Sequence, residues 1–285
     1  MRENIMAITG PTSGIGRATA LELADQFDRI VLLVRNLNKG EVLKQEIKTK
    51  SPVQIDVIHC DLSELSSIEA AANKMKEKYD SIDSLILNAG VVSLTKQETK
   101  DGFEMMMGTN YIGHFYLTHL LLPLVLDSEA KQIVVVSSNG YKFAPLKAPY
   151  FKRRKFNPVT NYGQSKLGTL YLMQALYDSY HEDGLKTTAV HPGAVSTNLG
   201  KTPKNERFGN LVYKVLTPFF LTAEEGSFST VMAVKFPEKY NGKYMHNGKY
   251  MHNGKILKVQ KHGNDIDART SLMTATLDVL NLTHL

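Results

Sequence analysis

Short apolar runs alternate with longer amphipathic stretches through the first two thirds of this 285-residue chain. The apolar runs are residues 4–9, 29–34, 53–59, 84–87, 132–136 and 187–191. Most of them are hydrophobic at consecutive positions, which is typical of strands that are buried on both faces. Repeated strand–helix–strand units of this kind predict an α/β fold in which a doubly wound parallel sheet carries helices on both faces.

No linker rich in proline, glycine or serine interrupts the series, so we predict a single domain over residues 1–285. Residues 241–255 read NGKYMHNGKYMHNGK, a six-residue unit that occurs twice and begins a third time. The unit is too short for a solenoid, and we interpret it as a tandem duplication that extends a loop beside the final strand. His246 and His252 lack carboxylate or cysteine partners at metal-ligand spacing, so no metal site is expected.

The composition indicates which cellular compartment the protein occupies and whether the chain crosses a membrane. Cys60 is the single cysteine, so an internal disulfide is impossible and a reducing, cytoplasmic compartment is expected. No apolar run reaches the roughly 18 residues that a membrane-spanning helix needs. The N-terminal stretch also reaches glycines too early for a signal-peptide core. We therefore predict a protein without a membrane span.

The net charge of +6 raises the question of a nucleic-acid partner. The densest basic cluster is FKRRKF at residues 151–156, and no nucleic-acid-binding motif surrounds it. We favour a solvated loop over a nucleic-acid interface at this cluster, so no nucleic-acid partner is expected. Part of the positive excess could instead serve a phosphorylated cofactor.

A glycine-rich turn directly follows the first predicted strand. Residues 9–16 read TGPTSGIG, and a helical stretch begins immediately afterwards. The glycines keep Cβ atoms away from a turn whose backbone N–H groups must approach a pyrophosphate, and the helix N-terminus adds partial positive charge. The spacing Gly-x-x-x-Gly-x-Gly differs from the general dinucleotide fingerprint. Its position between a strand and a helix nevertheless favours cofactor binding over an ordinary turn.

The end of the second predicted strand indicates which nicotinamide cofactor is preferred. An acidic residue at this place would hydrogen-bond the adenosine ribose, whereas this chain has Arg35 followed by Asn36. A guanidinium forms charge-assisted bonds to a 2′-phosphate, so the sequence favours NADP(H) over NAD(H). Arg17 could assist, and the alternative is that Arg35 is an ordinary surface charge at a strand end.

Tyr162 and Lys166 lie four positions apart, and the motifs around them decide whether the pair is functional or due to chance. The 13 tyrosines and 26 lysines give about one such spacing by chance, and one occurs. Over roughly residues 4–200, however, the pair belongs to an ordered series of motifs: the glycine turn, Asp61-Leu62, Asn88-Ala89-Gly90, Asn110, Ser137-Ser138, Tyr162/Lys166 and Pro192-Gly193. With these motifs in this order, the chain resembles the short-chain dehydrogenase/reductase family. Seven matches in order are strong evidence where one would be weak.

The resemblance implies a Rossmann-type domain and a set of cofactor-binding residues. These are Gly10, Ser13, Gly14, Ile15, Gly16, Arg35, Asp61, Leu62, Asn88, Ala89, Gly90, Tyr162, Lys166, Pro192, Gly193, Val195 and Thr197. By the same resemblance, Asp61 would contact the adenine ring. The stretch from Pro192 to Thr197 would hold the nicotinamide carboxamide and its ribose side.

The resemblance also implies four catalytic residues, Ser138, Tyr162, Lys166 and Asn110. Reduction of a carbonyl leaves an alkoxide that must gain a proton, and alcohol oxidation needs the reverse transfer. A free phenol has a pKa of about 10, and an ammonium within about 4–6 Å lowers that pKa, which the shared helical face of Tyr162 and Lys166 would allow. Ser138 would orient the substrate oxygen, and Asn110 would anchor a water that links Lys166 to solvent. Ser137 is expected to point into the sheet.

Three further features resemble the retinol-dehydrogenase-like branch of the family. They are the 24-position interval from Ser138 to Tyr162, the sequence VRN at 34–36 and the sequence TNYIGHF at 109–115. The inserted segment 144–158 would then line the substrate mouth. Residues 200–221 include apolar side chains and correspond to the family's substrate lid, although a helix packed on the core explains them equally well.

Two classes of function fit these observations. The first is an NADP(H)-dependent oxidoreductase that interconverts a hydrophobic alcohol and its ketone or aldehyde by hydride transfer. The alternative is a non-catalytic regulatory protein that senses nicotinamide nucleotides. Intact Ser138, Tyr162 and Lys166 favour the enzyme, because a sensor has no need of a proton-transfer group. Homo-oligomerisation, the direction of reaction and the substrate's identity stay open.

Overall fold

The computed structural model describes residues 2–151, 155–193, 221–248 and 251–285. The strands are β1 (Ile5–Thr9), β2 (Arg29–Val34), β3 (Gln54–His59), β4 (Ser84–Leu87), β5 (Gln132–Val136), β6 (Lys186–His191), β7 (Lys243–Gly248) and β8 (Met251–Leu257). The helices are α1 (Gly14–Glu22), α2 (Leu37–Lys48), α3 (Leu65–Lys78), α4 (Gly113–Leu126), α5 (Pro158–Tyr180), α6 (Ala223–Lys235), α7 (Pro237–Tyr240) and α8 (Ile266–Leu280). A π-helical turn at Met107–Ile112 leads into α4, and a 3₁₀ turn at Asn139–Phe143 follows β5.

The strands of the described chain form one sheet in the order β3-β2-β1-β4-β5-β6-β7-β8. Strands β1 to β7 run parallel, and β8 pairs antiparallel with β7 at the edge. The chain builds outward from β1 to β3 and then returns to place β4 on the other side of β1. In doubly wound sheets, ligands bind at the carboxyl ends of the strands beside such a reversal. The predicted α/β fold with a doubly wound sheet is confirmed.

Both faces of the sheet are buried, as the continuous apolar runs predict. Every residue of β1, β4 and β5 is buried. Neighbouring residues point to opposite faces, so that Ala7 belongs to one core cluster and Ile8 to the other. Helices α3, α4 and α5 contribute to the first cluster, and α1, α2 and α6 contribute to the second. Two layers of helices thus cover a sheet whose central strands β1, β4 and β5 have no exposed face.

Helix α5 begins at a defined cap. The Asn157 side chain accepts a hydrogen bond from the Thr160 N–H at 2.9 Å, and Pro158 occupies the first helical position. Asparagine satisfies a free N–H group at a helix start, and proline there has a φ angle that suits the helix. The cap fixes where the inserted segment ends, and it therefore places Tyr162 and Lys166 in the first turns of the helix.

The NGKYMH repeat forms strands at the edge of the sheet, so the interpretation of 241–255 as an extended loop is wrong. Strand β7 takes its first four residues from the first copy and pairs in parallel with β6, and β8 then returns beside β7. Tyr244 and Met245 are buried in opposite core clusters. Adjacent residues of a strand face opposite ways, so the unit's Tyr-Met pair can fill both cores at once.

In the described part of the chain, no helix is long and apolar enough to cross a bilayer. This finding agrees with the absence of a long apolar run in the sequence. The predicted substrate lid at 200–221 lies outside the described residues except for Leu221, which is buried. The lid therefore stays a prediction.

Candidate active site

The glycine turn joins β1 to α1 at the carboxyl edge of the sheet, where two of its glycines meet close neighbours. Gly10 has a φ of +62°, and a Cβ there would lie 2.9 Å from the Cα of Ala89. A Cβ on Gly16 would lie 2.3 Å from the Asn88 amide nitrogen and 2.6 Å from the Gly10 carbonyl oxygen. These separations leave no room for a side chain. The first turn of α1 also carries no acidic residue, which suits the binding of an anion at its N-terminus.

A cavity of about 740 Å³ opens beside this turn. The predicted cofactor residues on its wall are Gly10, Ser13, Gly14, Ile15, Gly16, Arg35, Asp61, Leu62, Asn88, Ala89, Gly90, Tyr162, Lys166, Pro192 and Gly193. The other two, Val195 and Thr197, lie outside the described residues. Cofactor sites commonly measure about 300–1,000 Å³, so the cavity has room for a dinucleotide. The glycine cradle and this volume fit the nicotinamide nucleotide that the sequence implies.

Two basic side chains lie where β2 passes into α2. Arg35, Asn36 and Lys39 line the cavity here, and the Asn36 side chain caps α2 by accepting a hydrogen bond from the Lys39 N–H at 3.0 Å. The sequence pattern did not single out Lys39, although its place four residues after Arg35 was a usable signal. Arg17, which could assist, has its guanidinium bonded to the Glu46 carboxylate.

Tyr162 and Ser138 come together on the cavity side of α5. Ser138 lies two residues after the end of β5 and accepts a hydrogen bond from the Gly140 N–H at 3.1 Å. A Cβ on Gly140 would lie 3.5 Å from the Ser138 hydroxyl and 3.6 Å from the Tyr162 ring. Burial raises the pKa of the Tyr162 phenol, and a hydrogen bond with Ser138 partly opposes that rise. The phenol is therefore held in its protonated form, with a hydroxyl partner beside it.

The Lys166 ammonium is buried one turn further along α5. Only 4% of the residue is exposed, and its Nζ donates a hydrogen bond to the Val136 carbonyl at 2.8 Å. Burial disfavours the charged form and lowers the pKa of Lys166 to about 8. The expectation that Lys166 brings the pKa of Tyr162 below its ordinary value is wrong for this arrangement. Burial of the phenol outweighs its hydrogen bond with Ser138, and the net shift is upward.

Ser137, the neighbour of Ser138, has a different partner. Its hydroxyl donates a hydrogen bond to the Lys166 carbonyl at 2.9 Å, and the residue is buried. This bond ties the end of β5 to α5. The two serines therefore have different hydrogen-bond partners. Ser137 also forms part of the cavity wall.

Asn110 lies in the π-helical turn and connects three elements. Its Oδ1 accepts a hydrogen bond from the Val91 N–H at 2.7 Å, and its Nδ2 donates to the Val91 carbonyl and to the Ser165 hydroxyl, each at 3.0 Å. A π-helical turn inserts an extra residue and is frequent at functional sites. The buried amide thus holds the loop after β4 against α5, directly before Lys166.

A second buried network, which the sequence pattern did not reveal, begins at Thr9. The Thr9 hydroxyl accepts hydrogen bonds from the N–H groups of Asn88 and Ala89 at 2.9 and 3.0 Å, and it lies 2.9 Å from His114 Nε2. His114 Nδ1 lies 2.9 Å from the Asn110 carbonyl, which requires the tautomer that carries its proton on Nδ1. Thr9 then donates to Nε2. The network joins the glycine turn, the end of β4 and the π-helical turn.

A doubly wound sheet with a glycine cradle at the end of β1 defines a Rossmann-type dinucleotide-binding protein. The family model for short chain dehydrogenases matches residues 4–207. Retinol dehydrogenase 11 of Homo sapiens is 35% identical over 225 residues, which are 78% of this chain and 70% of that protein. The chain belongs to the short-chain dehydrogenase family, and its resemblance to the retinol-dehydrogenase-like branch is confirmed.

Solved structures share this fold. A protein from Mycobacterium paratuberculosis has a TM-score of 0.73 and 26% sequence identity, with 99% of this chain and 94% of that chain covered. A short-chain dehydrogenase from Sphingobium yanoikuyae, solved in complex with NADPH, has a TM-score of 0.67 and 23% identity over 95% of each chain. Family membership makes the protein an oxidoreductase that acts on CH–OH and C=O groups with a nicotinamide nucleotide.

Proposed function

We propose that the protein interconverts a hydrophobic alcohol and its ketone or aldehyde with NADP(H), and that Tyr162 transfers the proton. The main support is the contact of Tyr162 with Ser138, on a cavity that is also lined by Lys166 and the glycine turn. The sensing alternative would need no such group, and membership of an oxidoreductase family supports the enzyme.

The bound nucleotide would supply or accept the hydride, and the side chains would manage the proton. Because the pKa of Tyr162 is raised, its hydroxyl retains the proton that a nascent alkoxide needs. Ser138 would hydrogen-bond the substrate oxygen and orient it. Lys166 is mostly charged below a pH of about 8, so it would stabilise the phenolate that remains after transfer. Asn110 would keep the lysine's surroundings in place through its bonds to Val91 and Ser165.

The charges at the adenosine end favour NADP(H). Arg35 and Lys39 both line the cavity there, and paired cations suit the 2′-phosphate that distinguishes NADP(H) from NAD(H). Asp61 also lines the cavity, but its Oδ1 already accepts hydrogen bonds from the N–H and the hydroxyl of Ser63 at 2.9 and 2.7 Å. A carboxylate engaged in this way is a weaker competitor for a ribose hydroxyl.

The substrate we propose is hydrophobic. Phe143 is 73% exposed and directly precedes Ala144, which packs against Gly163 beside Tyr162. A relative at 35% identity is named a retinol dehydrogenase, and retinol is a long apolar alcohol. The lid at 200–221 and the cofactor contacts of Val195 and Thr197 belong to this proposal as predictions. So do a cytoplasmic location and homo-oligomerisation.

NADPH consumption with a panel of lipophilic aldehydes, ketones and quinones tests the activity. Tyr162→Phe removes only the phenolic oxygen, and we expect it to lower turnover by at least about 10²-fold while NADPH binding persists. Tyr177→Phe is the matched control, because Tyr177 lies on the same helix away from the cavity wall and should leave turnover unchanged. Unaltered turnover in Tyr162→Phe would eliminate the proposed mechanism.

Cofactor preference has its own test. Arg35→Asp should weaken the binding of NADPH more than that of NADH, since it replaces a cation by an anion at the proposed 2′-phosphate site. Arg17→Ala should leave the ratio of the two affinities unchanged, because Arg17 is engaged with Glu46. Equal losses for both nucleotides in Arg35→Asp would refute the preference.

A further inference from the structure

The match to the family model ends at residue 207, yet later parts of the chain contact the turn that follows Ser138. This turn is the 3₁₀ stretch Asn139–Phe143. Ser138 caps it by accepting a hydrogen bond from the Gly140 N–H, and Gly140 lies beside the Tyr162 ring. The position of the turn therefore sets where the Ser138 hydroxyl lies relative to Tyr162.

Tyr244 of β7 contacts the first residue of this turn. Its hydroxyl donates a hydrogen bond at 3.1 Å to Oδ1 of Asn139, which lies 105 positions away in the sequence. Tyr244 is 2% exposed, and its ring meets that of Tyr141 edge to face with centroids 5.6 Å apart. A phenylalanine would fill the same space and keep this ring contact. Packing thus accounts for the ring of Tyr244 but not for its hydroxyl, which bonds the neighbour of Ser138.

The register of the sheet explains why Tyr244 reaches the turn. Tyr244 pairs with Ala189 of β6, and Ala189 pairs with Val135 of β5, three residues before Ser138. All three paired residues belong to the core cluster on the side of α5. Because successive residues of a strand face opposite ways, a shift of one residue in β7 would turn Tyr244 away from that side.

A second contact holds the middle of the turn. The Tyr141 hydroxyl accepts a hydrogen bond from the Gln260 N–H at 3.1 Å, and a Cβ on Gly263 would lie 2.9 Å from the Tyr141 ring. Tyr141 is fully buried. With the turn fixed at Tyr141, the bond from Tyr244 restrains the end that carries Ser138.

We propose that Tyr244 is a positioning residue of the active site, which acts through Asn139 to fix the place of the Ser138 hydroxyl. This inference rests on the proposed function, in which Ser138 orients the substrate oxygen. Burial raises the pKa of the Tyr244 phenol, and the nearby phenols of Tyr141 and Tyr162 add to the rise. Tyr244 therefore keeps its proton, and with it the bond to Asn139, while Tyr162 gives up its own.

NADPH consumption and NADPH binding by Tyr244→Phe test the proposal. The substitution removes only the hydroxyl. We expect kcat to fall by about fivefold to tenfold, which corresponds to one hydrogen bond expressed in the geometry of the site. The Kd for NADPH should stay unchanged, because the glycine turn and Arg35 are not altered. Adding Tyr244→Phe to Ser138→Ala should lower kcat no further, because Tyr244 acts through Ser138.

The pH dependence of the rate separates positioning from a general loss of folded protein. The hydrogen bond with Ser138 opposes the rise in the pKa of Tyr162, so displacement of the serine should let that pKa rise further. Carbonyl reduction slows as Tyr162 loses its proton. The pH at which kcat is half-maximal should therefore move upward in Tyr244→Phe. A smaller amount of folded protein would leave this pH unchanged.

Two other buried tyrosines provide matched controls. Tyr240 is 1% exposed, and its hydroxyl has no hydrogen-bond partner in the described part of the chain. Tyr240→Phe should leave both stability and kcat unaltered. Tyr79 donates a hydrogen bond to the Asp56 carboxylate at 2.7 Å, and it does not line the cavity. Tyr79→Phe should destabilise the protein without changing kcat or its pH dependence.

Four results would overturn the proposal. They are an unaltered kcat in Tyr244→Phe, an equal fall of kcat in either control variant, a fall of kcat without a change in its pH dependence, and a further fall when Tyr244→Phe is added to Ser138→Ala.

Absence of turnover in the unaltered protein would count against the proposed function, and NMR of ¹³C-labelled tyrosine then decides the positioning by itself. The Cζ signal of Tyr162 is identified by its loss in Tyr162→Phe. It should titrate at a higher pH in Tyr244→Phe than in the unaltered protein, because the bond with Ser138 is weakened. An unchanged titration would contradict the role of Tyr244.

Discussion

Two histidine sites at the carboxyl edge of the sheet, one buried and one half-buried, differ in how their ring nitrogens are satisfied. His114 uses both nitrogens, one with Thr9 and one with the Asn110 carbonyl. His191 on β6 and His246 on β7 stack on each other with ring centroids 4.9 Å apart, and the Nδ1 atoms of both are buried without a hydrogen-bond partner. The first site is held by directional bonds, and the second is held by packing.

The two histidine sites differ in hydrogen bonding because only the first of them positions residues that line the cavity. The His114 network positions the glycine turn and the loop after β4, which line the cavity, so a small displacement there would move cofactor-binding groups. The His191–His246 pair arises because the register of β6 and β7 places the two residues side by side. Buried polar atoms without partners destabilise the fold. Hydrogen bonds at both ring nitrogens, as at His114, hold the ring in one position, which a site that binds a cofactor requires.

The largest expected effect comes from removing the hydroxyl at the centre of the first site. Thr9→Val leaves the Ala89 N–H and His114 Nε2 without their partner, while the Asn88 N–H keeps its second acceptor, the Ile86 carbonyl at 3.1 Å. At about 1–3 kcal/mol for each unsatisfied group, we expect the free energy of unfolding to fall by about 3–5 kcal/mol once the loss of geometry around the Asn88 N–H is included. Chemical denaturation measures this free energy of unfolding. We also expect a weaker affinity for NADPH, which a binding titration measures.

Thr19→Val is the matched control for that variant. The Thr19 hydroxyl is also buried, but it has no hydrogen-bond partner. The same substitution should therefore leave the free energy of unfolding unchanged or raise it slightly. A loss in Thr19→Val as large as that in Thr9→Val would show that shape, and not hydrogen bonding, decides the stability of these sites.

A second prediction concerns the buried cation beside the first site. The pKa of Lys166 is lowered to about 8, so below pH 8 the folded protein carries a desolvated charge that the unfolded chain carries in water. Between pH 8 and about 10.5 the unfolded chain binds more protons, so stability should rise with pH in this window. Lys166→Met should stabilise the protein by about 3 kcal/mol at pH 7 and lose this advantage by about pH 10.5.

Thermal unfolding of the Lys166→Met variant at pH 7 and pH 10 provides the measurement. Turnover should fall strongly, because the proposed site loses its cation. A destabilised variant at pH 7 would mean that the bond from Nζ to the Val136 carbonyl outweighs the desolvation of the charge.

A smaller effect is expected at the second histidine site. Burial and the nearby His246 lower the pKa of His191 to about 3, and the pKa of His246 is lowered mainly by burial. Their neutral forms stabilise the fold fully above pH 6.5, and this stability is lost as the pH falls towards 3. His246→Phe keeps the stack and removes one titrating group. The loss of stability from pH 7 to pH 5 should therefore become smaller in this variant.

His181→Phe serves as the control for acid sensitivity. His181 stacks on Tyr177 with centroids 4.7 Å apart, but it is exposed at the end of α5. His181→Phe removes a histidine from a ring stack that, unlike the His191–His246 pair, does not lie on the sheet. If both variants lose acid sensitivity equally, the His191–His246 pair is not its source.

The smallest effect is expected from shortening the repeat. Deleting residues 247–252 removes one NGKYMH unit and leaves the first copy, whose backbone pairs with β6, followed directly by NGK. After the deletion, residues 253–255 (NGK) follow His246 in place of residues 247–249, which have the same sequence. We therefore expect a change of less than about 1 kcal/mol in the free energy of unfolding and unaltered turnover. Unfolding of the deletion variant would mean that pairing of β8 with β7 holds the edge of the sheet.

Much of the fold was readable because its signals are local. Continuous apolar runs predicted β1 to β6, and the glycine turn predicted the phosphate end of the cavity, where Gly10 and Gly16 have no room for a side chain. The repeat was misread because a six-residue unit with an Asn-Gly pair resembles a turn. Its Tyr-Met pair becomes a strand signal only beside an unpaired sheet edge.

The individual strands, the glycine cradle and the spacing of Tyr162 and Lys166 could be read from the sequence, since each depends on residues within a few positions of one another. The contact of Thr9 with His114, 105 residues away, and the stacking of His191 on His246 emerged only from the folded chain. The tertiary structure also decided that burial raises the pKa of Tyr162 against the expected influence of Lys166. Hydrogen bonding and desolvation depend on which distant groups surround an atom, and a local pattern does not contain that information.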